Sequence, residues 1–226
     1  MQVKHLRLLW VVTLDQRRSR REPDRVESAL DVAAEVPGVL LRFERTAGDE
    51  IQGLLTDERG VVELIIALAR LDAFGGLEEP GWRIGIGLGE VENVHVATTR
   101  AARGSAYIAA RVAVEEASRA PAYLCLRTAD FAQEATGELA ETALILLRTL
   151  LTRRTAKGWE VVDAMSPEVT QAQVAHELGI SESAISQRLT RASWREGVRG
   201  AELASRLLLV TRWGWAQAAN SIGPAP

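Results

Sequence analysis

Hydrophobic and polar positions along the first half of the chain alternate between two periods. Leu6 to Leu14 is an apolar run of strand length, and Val39 to Thr46 and Ile51 to Leu55 are two more, separated by Ala47-Gly48-Asp49-Glu50. Two such runs around a Gly-Asp turn predict a β-hairpin. Between and after them the spacing becomes helical: Val26, Ala29, Leu30 and Ala33 within Pro23 to Val36, then Val61, Leu64, Ile65 and Leu68 within Gly60 to Leu71. Trp82 to Val91 reads as a strand, Ala106 to Ser118 as a helix and Ala122 to Leu126 as a short strand. A long helix is expected from Phe131 to Arg154, carrying Leu139, Ala143, Leu146, Leu147, Leu150 and Leu151, as a bridge between domains or a dimer seam. The order strand, helix, hairpin, helix, strand, helix, strand predicts an α+β domain on a mostly antiparallel sheet of ferredoxin-like or palm type. The domain reading is 1–128 for this unit, 129–157 for a connecting helix and 158–226 for an all-α C-terminal domain.

The most specific pattern lies in that last part. Thr170 to Ala192 reads TQAQVAHELGISESAISQRLTRA. Thr170 and Gln173 have capping-box spacing, and Val174 and Leu178 form an apolar i, i+4 pair. Gly179 stands where a left-handed cap would end the first helix, a conformation glycine adopts without a steric penalty. Ser181 can cap the second helix, in which Ala184, Ile185 and Leu189 face inward. Ser183, Ser186, Gln187, Thr190 and Arg191 then point outward. This is the layout of a DNA-binding helix-turn-helix, the second helix entering the major groove. Thr170, Gln171, Ser181, Ser183, Ser186, Gln187, Thr190 and Arg191 are its candidate contacts. Gln can bond adenine edges, Arg guanine, and Ser or Thr phosphates. A final helix is expected over Gly200 to Ala219, with Trp194, Trp213 and Trp215 packing the module against it.

Charge agrees with this partition. The chain of 226 residues has a formal net charge of -3, yet Arg148 to Arg212 holds ten Arg or Lys against seven Asp or Glu. A localised basic module on an acidic body fits specific DNA binding better than general coating of nucleic acid. Cys125 is the only cysteine, so no disulfide framework forms within one chain and a cytoplasmic setting is expected. No run approaches the ~18 apolar residues of a membrane span. The histidines His5, His95 and His176 lack metal-ligand spacing.

Two features of the first half carry candidate chemistry. In Trp82 to Val91, WRIGIGLGEV, Ile84, Ile86 and Leu88 share one face and Gly85, Gly87 and Gly89 the other. Three glycines in register imply either a helix packed closely across that face or close approach of a ligand. In a palm-type sheet Asp15, ending the first strand, converges with Asp49 of the hairpin turn. Two such carboxylates can hold a divalent cation against a triphosphate. The run Arg17, Arg18, Arg20 and Arg21 follows directly and is able to reach a phosphate.

Arg45-Thr46-Ala47-Gly48-Asp49, the strand Arg83 to Val91, and GSAYIAAR at Gly104 to Arg111 together resemble the core of class III nucleotide cyclases and, more distantly, GGDEF-type palm domains. The resemblance implies Mg2+ or Mn2+ with a nucleotide at Asp15 and Asp49. It puts Arg45 at the purine-reading position, held by lysine in the family, and Arg111 at that of the transition-state arginine. Arg45, Gly87 and Arg111 are thus the candidate nucleotide contacts. Tyr107 stands where the family carries its ribose-orienting asparagine, so the catalytic set is incomplete. A closer likeness covers most of residues 6–118. Asp15 followed by Ser19-Arg20, GDEIQGLL at Gly48 to Leu55, RIGIGLGE at Arg83 to Glu90 and the helix start RGSAY at Arg103 are similar to the SatD family of bacteria. Arg18 stands where that family usually has a second acidic residue.

The functional expectation is a bacterial DNA-binding transcriptional regulator that reads duplex DNA as a homodimer. Its palm-like domain serves ligand sensing, a nucleotide being the candidate, or dimer contacts. The alternative is a metal-dependent cyclase or nucleotidyltransferase-like enzyme controlled by the DNA-binding module.

Overall fold

The computed structural model describes residues 7–92, 94–166 and 168–221. His5 and the tail 223–226, expected to fray, lie outside them. The protein is α+β. In chain order the elements are β1 (Arg7–Gln16), α1 (Val26–Ala34), β2 (Val39–Ala47), β3 (Glu50–Leu55), α2 (Glu58–Phe74), β4 (Trp82–Val91), α3 (Ser105–Ala117), β5 (Leu124–Thr128), α4 (Glu134–Thr152), α5 (Ala156–Ala164), α6 (Gln171–Leu178), α7 (Glu182–Arg191) and α8 (Trp194–Ser221). The five strands form one mixed sheet in the order β2-β3-β1-β4-β5. β1 lies centrally, antiparallel to β3 and β4, and β5 adds in parallel beside β4.

The period-2 pattern assigns each sheet face its cover. Trp10, Val12 and Leu14 of β1 join Ile84, Ile86 and Leu88 of β4 in the main core with α1, α2, α4 and α8. Leu9, Val11 and Leu54 point the other way, onto Ala106 and Ala110 of α3. The glycines of β4 make this second layer possible. A Cβ on Gly87 would overlap the Ala106 carbonyl and the Ala110 amide, and Gly85 and Gly89 meet the same helix equally closely. Gly87 is therefore not a nucleotide contact: α3 seals its face backbone to backbone, and no ligand fits between.

Two expectations shift at element ends. β5 begins at Leu124 rather than Ala122, because Pro121–Tyr123 form a 3-10 turn with Ala122 and Tyr123 at φ 52°. α4 begins at Glu134, after another such turn at Phe131–Gln133. The stretch read as a connecting helix shares the sheet's core: Ala140, Ala143, Leu144, Leu147 and Leu151 of α4 are buried there, together with Ala204 and Leu208 of α8. α8 starts earlier than expected and is broken at Gly214 (φ 75°). Trp213 and Trp215 beside that break are exposed, so of the three tryptophans only Trp194 packs on the small C-terminal core.

Polar contacts fasten the C-terminal helices to the body. The Arg212 guanidinium donates to the Thr56 carbonyl and, at 3.2 Å, to the buried Glu58 carboxylate, which also accepts from the Trp10 indole at 3.3 Å. Arg70 of α2 donates to Asp163 of α5 at 2.6 Å. Arg154 is buried at the α4–α5 corner, donates to the Ala192 carbonyl at 3.0 Å and stacks over Trp159.

Candidate nucleic-acid interface and candidate ligand cavity

α6 and α7 fold as their local sequence dictates. The Thr170 hydroxyl accepts from the Gln173 amide at 3.3 Å, and the Gln173 side chain reaches back to the Thr170 amide at 2.8 Å, closing the capping box. Gly179 takes the left-handed conformation (φ 64°), and its neighbour Ile180 donates to the Ala175 carbonyl at 3.0 Å. The Ser181 hydroxyl then caps α7, accepting from Ala184 at 3.2 Å. Val174, Ala175, Ile185 and Leu189 are buried together with Val161 of α5, so three short helices share one small core.

What remains outside is the predicted polar row. Ser183, Ser186, Gln187, Thr190 and Arg191 are all exposed on α7. Their availability differs. The hydroxyls of Thr170 and Ser181 act as caps, and that of Thr190 donates to the Ser186 carbonyl at 2.9 Å. Among the described residues the side chains of Ser186, Gln187 and Arg191 have no hydrogen-bond or ion-pair partner. Gln171 lines a shallow cavity with Ser186 and Thr190.

Beside the C-terminal end of α7 lies a cavity of about 260 Å³ lined by Arg153, Thr155, Lys157, Gly158, Arg188, Arg191 and Ala192. Arg188 is held by Glu160 at 3.7 Å. Arg153, Lys157 and Arg191 are exposed without an ion-pair partner among the described residues. Arg153 and Lys157 belong to no predicted motif. The basic excess after Arg148 was legible in the sequence, but only the corner between α4 and α5 brings this pair beside Arg191.

The second concavity opens beyond the end of β1. It measures about 530 Å³ and is lined by Asp15, Gln16, Arg18, Ser19, Arg20, Arg21, Asp49 and Arg83. The two predicted carboxylates do share it, because Gln16 donates to the Asp49 carbonyl and Asp15 pairs with Glu50 in the ladder. Arg83, next to Asp15 on β4, donates to its carboxylate at 2.7 Å. Burial raises the Asp15 pKa; Arg83 opposes the shift, and Asp49 and Glu50 add to it. The other candidates point elsewhere. Arg45 pairs with Asp24 at 2.7 Å and donates to the Gly48 carbonyl at 2.9 Å. Arg111 pairs with Glu50 at 2.9 Å and Glu115 at 2.8 Å. Neither lines the cavity.

A divalent cation does not fit these residues. A hard cation wants several oxygen ligands, and one of the two carboxylates here is already neutralised by a guanidinium. Among the described residues no group of three or more His, Cys, Asp or Glu side chains is placed to hold a metal ion. Also among them, no helix is long and apolar enough to cross a membrane. Cys125 is buried, and burial pushes its thiol up to about 11, so it is no nucleophile.

No known protein family, curated protein or solved structure matches the chain. The likeness to the SatD family and to nucleotide cyclases rests on the sequence motifs alone.

Proposed function

We propose that the protein is a DNA-binding transcriptional regulator in which α6 and α7 form a helix-turn-helix and α7 enters the major groove. One observation carries this reading. α7 buries Ile185 and Leu189 on one side and presents Ser183, Ser186, Gln187, Thr190 and Arg191 on the other. A helix held only for packing has no need of a hydrogen-bonding row of Ser, Gln, Thr and Arg, whereas base edges and phosphates are read by such side chains. The βαββαβ order of β1 to β4, with β1 central, supports reading the body as a ferredoxin-like, palm-type domain. That domain serves as ligand sensor or dimer platform.

One helix of this kind contacts only a few base pairs, so a homodimer on a pseudo-palindromic site is the expected working form. Leu139 and Leu146 of α4 are exposed on one helix face and are its candidate seam. The cyclase-like alternative draws no support from the pairing of Asp15 with Arg83.

The test is selection of a preferred duplex from a random pool, followed by a mobility-shift assay. Gln187→Ala combined with Arg191→Ala is expected to remove ~1–3 kcal/mol of discrimination per lost base contact while leaving weak general binding. Full specific affinity in that double variant refutes the assignment of α7 as the reading helix.

A further inference from the structure

We infer that the cavity beyond β1 is a binding site for a small phosphate ester that also carries hydroxyl or amine donors, taken up without a metal ion. Ser19, Arg20 and Arg21 hold the phosphate, and Asp49 accepts from the donors at the other end.

The loop after β1 is built to display these side chains. Arg17 is pinned inward, donating to the Pro80 carbonyl at 2.5 Å and stacking over the Tyr123 ring at 3.5 Å. Arg18 then turns the chain with φ 58°, and its carbonyl accepts from the amides of Arg21 at 2.7 Å and Glu22 at 3.0 Å. A non-glycine residue in this region is uncommon and strained. The result is a tight turn with Ser19, Arg20 and Arg21 on the cavity wall.

Pairing separates these residues from their neighbours. Arg17 and Arg18 are bound to Glu79, Arg25 to Glu22, Arg45 to Asp24 and Arg83 to Asp15. Among the described residues Arg20, Arg21 and the Ser19 hydroxyl have no side-chain partner, and neither does the Asp49 carboxylate. With the pairs discounted, two guanidiniums, a hydroxyl and one carboxylate remain on the wall of an open cavity. Guanidinium forks match phosphate oxygens bidentately, and a hydroxyl adds a further donor. A bare carboxylate on the same wall repels a second phosphate, which disfavours polyphosphates, and accepts from hydroxyl or amine groups. The volume of about 530 Å³ falls within the ~300–1,000 Å³ of small-molecule sites.

The inference gives the sensing role of the body a ligand class; the binding itself does not depend on the DNA reading. The test uses the full chain, with adenosine monophosphate, inorganic phosphate and ATP as probes, in excess EDTA and again with Mg2+. Thermal unfolding and titration calorimetry are the readouts, since a ligand of the native state raises its stability. In EDTA the monophosphate is expected to bind more tightly than either phosphate or ATP. Arg20→Ala combined with Arg21→Ala is expected to weaken binding by on the order of tenfold or more, with unfolding in the absence of probe unchanged because both side chains are exposed. Asp49→Ala is expected to abolish the preference for the monophosphate over inorganic phosphate. Absence of binding in EDTA, dependence on Mg2+, or full affinity in the arginine double variant overturns the proposal. The arginine variant's DNA mobility shift is expected to match that of the wild type, so failure here is distinguishable from failure of the DNA reading.

Discussion

At the residue scale, the most consequential side chain outside the candidate sites is Asp72 in the last turn of α2. It is buried; one oxygen accepts from the Gly81 amide at 2.8 Å and the other has no hydrogen-bond partner. Burial raises its pKa to about 6, against the pull of the Gly81 bond and of Arg148, Arg25 and Arg17. Arg148 is itself buried and donates to the carbonyls of Tyr123 at 2.9 Å and Trp82 at 2.6 Å. Burial lowers its pKa to about 10. The native state thus binds a proton at Asp72 that the unfolded chain releases near its ordinary value of 3.8. Linkage then gives the sign: the Asp72 contribution is fully present below about pH 4 and is lost as pH rises through about 6. The shift from 3.8 to about 6 corresponds to roughly 3 kcal/mol. Urea unfolding of the wild type and Asp72→Asn at pH 4 and pH 7 is expected to show the wild type gaining on the variant by about 2 kcal/mol at the lower pH, most of the full amount. A pH-independent difference removes Asp72 as the titrating group.

At the element scale, β4 and α3 show how far a pattern reaches. The alternation of Ile84, Ile86 and Leu88 with Gly85, Gly87 and Gly89 placed the strand at its observed bounds, Trp82–Val91. It could not choose between a ligand and a helix as the glycines' neighbour, because a missing Cβ admits either. The choice lies in the small residues Ala106, Ala110 and Ala113, far along the chain and buried against that face. Gly87→Ala forces a methyl group into helix backbone and is expected to cost about 1–3 kcal/mol, as overpacking does. Chemical denaturation measures it, and unchanged stability would mean that α3 does not sit on the strand as described. α6 and α7 were more legible. Their capping box, left-handed glycine and serine cap act within a few residues, so the sequence contains both partners of every bond. α5 was not predicted: Trp159 and Val161 are buried, but in nine residues they mark no clear period.

At the scale of the whole molecule, charge and connectivity bring distant residues to one side. Arg153 and Lys157 belong to the α4–α5 corner and Arg191 to the end of α7, yet one cavity gathers them. On the proposed reading, a duplex held by α7 would bring its phosphate backbone to this corner, whose Arg153, Lys157 and Arg191 share one cavity. Each phosphate contact adds about 0.9 to the slope of log affinity against log salt. Arg153→Ala with Lys157→Ala is therefore expected to weaken binding evenly across DNA sequences and lower that slope by about 2. An unaltered slope places the phosphates elsewhere. The module is not a loose appendage, since Arg70 with Asp163 and Arg212 with Glu58 tie it to α2. Asp15 and Asp49 line one cavity, but Arg83 enters from the neighbouring strand and gives it a cationic rather than a metal-binding character. The sequence by itself determined the periodic elements, their α+β order and the capped pair α6 and α7, because the forces involved act between residues a few positions apart. Only the tertiary structure decided that α3 fills the glycine face, that α4 and α8 complete the sheet's core, and which arginines remain unpaired. Those outcomes depend on which distant side chains the fold brings to a given carboxylate or surface, and no local spacing encodes that.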